Sequence, residues 1–233
     1  MKTLATLIFL SISIVLSSCG EHIKGNGRIE ERQQDLDHFN SIHLSGIFEV
    51  QLIEGDEQIE VITDENLHEH IHIALEDNDL VIDTKDKYLS AEKILLRIHY
   101  SELEAIDVSG AVSLASEGQL NSNHVSLDVS GACEGSLDVD VDDLDVEISG
   151  GGELTLAGNA DFVRIRVSGA GEINALDLHV MEADFDITGA GEIEMTVENK
   201  LDVEVTGAGE VRYAGNPALS KKVTGAGEIT QIR

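Results

Sequence analysis

The sequence predicts an all-β chain wound as a right-handed, single-stranded parallel β-helix, and three observations carry that prediction. First, a short phrase recurs down the C-terminal half. It reads Ser-Gly-Ala-Val-Ser-Leu from Ser109, Ser-Gly-Ala-Cys-Glu-Gly from Ser130, Ser-Gly-Gly-Gly-Glu-Leu from Ser149 and Ser-Gly-Ala-Gly-Glu-Ile from Ser168. Thr-Gly-Ala-Gly-Glu copies follow at Thr188, Thr206 and Thr224, giving steps of 21, 19, 19, 20, 18 and 18 residues. A near-constant period of this length marks one coil of a solenoid per copy. Second, apolar residues alternate ahead of each phrase, as in Val125, Leu127 and Val129 or Val163, Ile165 and Val167. Period-two alternation of β-branched residues belongs to a strand with one buried face and not to a helix. Third, Arg164 and Arg166 fall at the outward places that hold Asp145 and Glu147 one period earlier and Asp184 and Asp186 one period later. Stacking like over like turns these into cross-strand pairs of opposite charge, each worth about 0.2–1 kcal/mol.

In chain order, Met1-Lys2, the apolar run from Leu4 to Leu16 and Leu16-Ser17-Ser18-Cys19 form a secretory signal too short to span a membrane. Its end resembles the lipobox of bacterial lipoproteins. Residues 1–18 are therefore expected to be removed, and Cys19 to be acylated as the new first residue. Gly20 replaces the aspartate that retains some lipoproteins at the inner membrane, so the expected location is the outer membrane. Residues 19–34 read as a polar tether, and residues 35–233 as one β-helix domain with regular rungs from about 101. Within that domain Phe39 to Leu52 alternates and carries Ser45-Gly46, a degenerate copy of the phrase. A strand follows from Gln58 to Ile62, a helical turn at 64–70, a turn at Asp77-Asn78 and a strand from Ile94 to His99. In the regular part each rung is strand, glycine corner, strand, because glycine lets the chain bend and approach its neighbours closely. A contour of about 60 Å per rung suffices for two or three short strands.

Composition excludes several classes of partner. With 15 basic and 45 acidic residues the chain carries a net −30, a surface that repels nucleic acid and other polyanions. Aromatic residues are 3% and tryptophan is absent, so there is little on which a sugar ring could stack. Cys133 occupies the column held elsewhere by Gly152, Gly171, Gly191, Gly209 and Gly227, and reads as a buried free thiol.

Gly25-Asn26-Gly27, the Phe39-Asn40-Ser41-Ile42 opening with Ser45-Gly46 and Val50, and the Ser/Thr-Gly-Ala-Gly-Glu ladder together resemble the auto-transporter adhesin "head GIN" domain family. That family is a domain of unknown function common in lipoproteins of Bacteroidetes-type bacteria, and the likeness covers roughly residues 35–233. It implies a β-helix, an envelope location and no known catalytic residues.

Three sets of residues stand out as candidate sites. Glu134, Glu153, Glu172, Glu192, Glu210 and Glu228 form a column. Carboxylates about 4.8 Å apart repel by roughly 1 kcal/mol in water. Either the side chains splay into solvent or Ca²⁺ bridges them; no other cofactor is expected. His68, His70 and His72 alternate, and in a strand all three would face one way and could hold Zn²⁺; no fourth ligand is marked and the segment reads as partly helical, so a solvent-facing cluster is the preferred reading. The hydroxyls from Ser109 to Thr224 lack a histidine column and read as a hydrogen-bonded ladder at the corner rather than nucleophiles.

The expected role is a non-enzymatic adhesion or binding module on the cell envelope, held by lipid and directed at a surface protein or glycan. A structural or stress-related envelope component is the second reading. A glycan-processing enzyme of the polysaccharide-lyase type is the third, weakened by arginines committed to acidic neighbours. The last phrase lies close to Arg233, so the final coil is expected to stay open and to self-associate end to end or to take a covering partner.

Overall fold

The computed structural model describes residues 22–85 and 87–232. Strands make up 76% of the molecule and helix 3%, arranged as a β-solenoid of about seven turns. The alternating segments run as long strands that bend around corners: Ala111–Val129, Ala132–Ile148, Gly151–Val167, Ala170–Ile187 and Ala190–Gly207. Each pairs in parallel with the next, so backbone groups bond to the coils above and below rather than within one coil. Glu210–Ala214, Ala218–Gly225 and Glu228–Gln231 complete the C-terminal end.

The register joins like to like, as the repeat requires. Ala132 pairs with Gly151, Gly151 with Ala170 and Ala170 with Ala190. Inward rows form a continuous core in which Val129, Ile148, Ile187 and Val205 are fully buried and Val167 nearly so. Arg164 lies between Asp145 and Asp184, and Arg166 between Glu147 and Asp186. Arg164 donates to Asp145 at 2.9 Å and its guanidinium sits 5.0 Å from the Phe162 ring centre. The unequal rung lengths are absorbed where the register slips, between Ala115 and Gln119, Thr155 and Ala157, Ala175 and His179, and Val180 and Glu182. Glycines with positive φ accompany two of them, Gly118 at 92° inside the first and Gly158 at 107° just beyond the second.

The glycine of each phrase is a steric requirement. A Cβ on Gly131 would lie 2.0 Å from the Gly110 carbonyl oxygen, and one on Gly150 2.0 Å from that of Gly131. The same clash places Gly110 over Gly46, so Ser45-Gly46 is a true first copy, separated from the second by an excursion through residues 55–100. In the neighbouring column the side chains of Ile148, Val167 and Ile187 fill the space left by Gly152, Gly171 and Gly191. Cys133 lies in that column as a buried free thiol.

The N-terminal end is built differently. Ser41–Ser45 and Ile47–Glu54 stack in parallel beneath the coils, but three antiparallel pairs then close the end. They are Ile29–Asp35 on Gln58–Asp64, Gln58–Asp64 on Leu95–Tyr100, and His72–Glu76 on Asp79–Asp83. The expected turn at Asp77-Asn78 is present, with Asp77 at φ 57°.

The tether reading of residues 19–34 is corrected from His22 onward. His22–Lys24 pairs with Tyr88–Ser90, and Ile29–Asp35 joins the main sheet. Polar composition misled here because these are edge strands whose side chains are mostly exposed; their backbone, not an apolar face, ties them down.

Candidate functional site

The glutamate column is real in space. Glu134, Glu153, Glu172, Glu192, Glu210 and Glu228 occupy one register line, which continues through Ser113 to Glu49. All six lie on the outer face, Glu192 half-buried and the others exposed. Arg212 approaches Glu192 at 3.6 Å near one end, and Lys93 meets Glu49 at 3.2 Å at the other. Among the described residues no ion pair reaches Glu134, Glu153 or Glu172. No three His, Cys, Asp or Glu side chains converge as a metal group among the described residues.

Beside the glutamates runs a column of Ala111, Ala132, Gly151, Ala170 and Ala190. The face is therefore a shallow apolar trough with a carboxylate rail. Open hollows lie along it at Ala132–Glu153 and at Ala190–Glu228.

The zinc arrangement of His68, His70 and His72 is overturned. Glu65–His70 is a 3-10 helix, so only His72 lies on a strand and the alternation does not align the rings. Each imidazole has its own partner: His68 Nε2 the Glu30 carbonyl oxygen at 3.0 Å, His70 Nδ1 the Lys87 ammonium at 3.2 Å, and His72 Nδ1 the Asp83 carboxylate at 3.2 Å.

The hydroxyl ladder is also corrected. Among the described residues only Ser109 and Ser130 of this column donate from Oγ across the corner, each at 3.4 Å, to the Leu44 and Val108 carbonyl oxygens. Backbone amides fix the corners instead, as in Ser149 N–H to Val129 O and Ser168 N–H to Ile148 O, both 2.9 Å.

Cys19 lies outside the described residues. Burial pushes the Cys133 thiol up to about 11, with the Glu134 charge adding to the effect, so at neutral pH it stays an unreactive thiol.

Two features escaped the sequence reading. Gly25-Asn26-Gly27 wraps the buried carboxylate of Asp64: the Gly27 amide donates to Oδ1, and a Cβ on Gly25 would lie 2.2 Å from Oδ2. Asn26 adds a bond from its amide to Asn66 Oδ1 at 2.9 Å, which latches the N-terminal segment to the 3-10 helix. The glycines were visible in the sequence, but their acceptor 37 residues away was not. The other is a cleft of about 480 Å³ at a coil corner, lined by Asp140, Asp142, Asp161, Glu198 and His179. Its only sequence signal was the outward acids of Asp140-Val141-Asp142.

Together, stacked coils with repeating outward columns define an adhesin-like β-solenoid. A family match, "Putative auto-transporter adhesin, head GIN domain", extends over residues 38–217, and the chain belongs to that family. Similar solved structures include a "putative adhesin" from Bacteroides fragilis, with TM-score 0.86 and 22% identity, covering 90% of this chain and all of that one. One from Parabacteroides merdae has TM-score 0.74 and 24% identity over 92% of this chain and all of that one. A third, from Parabacteroides distasonis, has TM-score 0.68 and 25% identity over 91% of this chain and all of that one. No curated protein matches.

Proposed function

We propose that this protein is a lipid-anchored module of the outer membrane that binds a surface protein or glycan without chemical turnover. The observation that carries this reading is the rail-and-trough face. One carboxylate and one small residue recur at every coil from Ala132 to Glu228, giving a long, regular surface suited to an extended partner. The family name and the adhesin-like neighbours support it. The rail favours partners that present cationic or hydrogen-bond-donating groups at a repeat near 4.8 Å, and disfavours polyanions.

Acylation of Cys19 supplies the anchor. Labelling cells with a fatty-acid analogue should mark the wild-type chain and leave Cys19→Ser unmarked. For binding, the purified protein is screened against glycan and surface-protein arrays beside a Glu153→Lys/Glu172→Lys variant. Saturable binding by the wild type that the variant loses supports the reading. Sugar release from a polysaccharide would replace it with an enzyme, and an envelope-integrity defect on deletion without any binding would replace it with a structural component.

A further inference from the structure

At the N-terminal end a hollow of about 240 Å³ is lined by Ile47, Tyr88, Leu89 and Ile94. Ile47 is 49% and Tyr88 55% exposed, two of the few large apolar side chains so open among the described residues. Leu89 and Ile94 are themselves buried, so the water-facing carbon is that of Ile47 and Tyr88, two exposed side chains on one hollow, which marks an interaction surface rather than scattered exposure.

The chain's course points to what covers it. His22, the first described residue, pairs with Tyr88 and stacks on its ring with centroids 5.4 Å apart. Cys19 precedes His22 by three residues, and three residues reach at most about 11 Å, so acyl chains on Cys19 are held near the strand that pairs with Tyr88. Lys85, Lys87 and Lys93 alternate in sequence with Asp83, Asp86 and Glu92, and Lys87 and Lys93 meet His70 and Glu49, so the attraction of this patch to a bilayer rests on its carbon and on the nearby anchor rather than on charge.

We infer that this patch rests on the bilayer that holds the acylated Cys19, with Tyr88 and Ile47 at the headgroup boundary. The inference rests on the lipid-anchor reading above. A tyrosine suits that depth, since its ring prefers the apolar side and its hydroxyl the wet one.

The chain has no tryptophan, so Tyr88→Trp introduces a single indole. The full chain carrying this change is purified from membranes and checked by mass spectrometry for acyl groups on Cys19. It is then reconstituted into phosphatidylcholine–phosphatidylglycerol vesicles with or without bromine near the top of the acyl chains. The expected result is a blue-shifted emission that bromine lowers roughly twofold, the behaviour of an aromatic ring at the membrane interface. Met181→Trp, which places the indole on the acidic cleft, should show no quenching. Adding Ile47→Asp to Tyr88→Trp should weaken the quenching.

An acylated protein whose indole at position 88 is unquenched overturns the proposal and leaves the anchor standing. Quenching unchanged by Ile47→Asp also overturns it, because depth is then set by the tether alone. A blue shift that grows with protein density and ignores bromine assigns the patch to a second copy. Absence of acyl groups on Cys19 overturns both readings.

Discussion

Coils from Ala111 to Gly207 and the segment from His22 to Tyr100 use the same residue types to opposite ends. In the coils one solution repeats: inward aliphatic rows, outward columns and a glycine corner whose clearance is set by the carbonyl oxygen of the coil before it. In the N-terminal segment nearly every contact is unique, such as Arg97 bridging Gln51 and Glu60 at 3.1 Å, or Asp64 inside its glycine loop. The lesson is that a periodic lattice propagates itself but cannot end itself. Its first coil needs specific, non-repeating polar chemistry to close the sheet edge.

The C-terminal end uses a different device. The inward column Leu127, Val146, Ile165, Phe185 and Val203 finishes at Lys221, which is exposed. An inward-facing charge blunts a sheet edge, so stacking of a second copy on this end has to desolvate an ammonium group. End-to-end self-association, one of the two outcomes expected of an open coil, would therefore carry that desolvation cost.

The largest test of the contrast is a pair of adjacent glycines. Gly150→Ala should destabilise by about 4 kcal/mol or more, because its methyl meets the backbone of the coil before it, which cannot move alone. Gly151→Ala, with nothing within 4 Å of the added carbon, should stay within about 0.5 kcal/mol in the same denaturation experiment. Similar losses for both would break the lattice argument.

Asp64→Ala should come next, at about 2–3 kcal/mol for a buried carboxylate hydrogen-bonded to backbone amides. Hydrogen exchange should locate the loosening in residues 22–35 and leave the coils protected, which is how a unique contact differs from a repeated one.

The pH dependence separates the halves further. Hydrogen bonds from Ser101 and His38 hold Glu57 down to about 2, so its stabilisation is complete above its ordinary 4.5 and is lost as pH falls through about 2. Cys133 is raised from 9.0 to about 11, so the folded state prefers the protonated thiol and loses stability as pH rises from 9.0 to about 11. Glu57→Gln should flatten part of the acid limb of a Tm–pH curve and Cys133→Ala part of the alkaline limb. Alkylation of the folded thiol should stay slow at pH 8.

The smallest effect belongs to the carboxylate rail. Glu153→Gln with Glu172→Gln should raise stability by about 0.5 kcal/mol through relief of like-charge stacking. If the rail is simply hydrated, Ca²⁺ and Mg²⁺ at equal ionic strength should raise Tm alike. An additional rise with Ca²⁺ that a chelator reverses would make the rail a calcium file.

The coils and the glutamate column were legible because a repeat writes each contact several times. Ser109, Ser130 and Ser149 announce their own alignment, and Arg164 confirms it by charge. The zinc reading of His68, His70 and His72 failed because three alternating letters cannot distinguish a strand from a 3-10 turn. The tether reading failed because edge strands need no apolar code.

By itself, then, the sequence determined the period, the inward and outward rows and the obligatory glycines, since these depend on neighbours a fixed number of residues away. Tertiary structure alone decided where each rung absorbs its extra residues, which carboxylate the Gly25-Asn26-Gly27 loop encloses, and that Tyr88 meets His22 beside Ile47. Those contacts join residues whose separation follows no period, and only the folded chain brings them together.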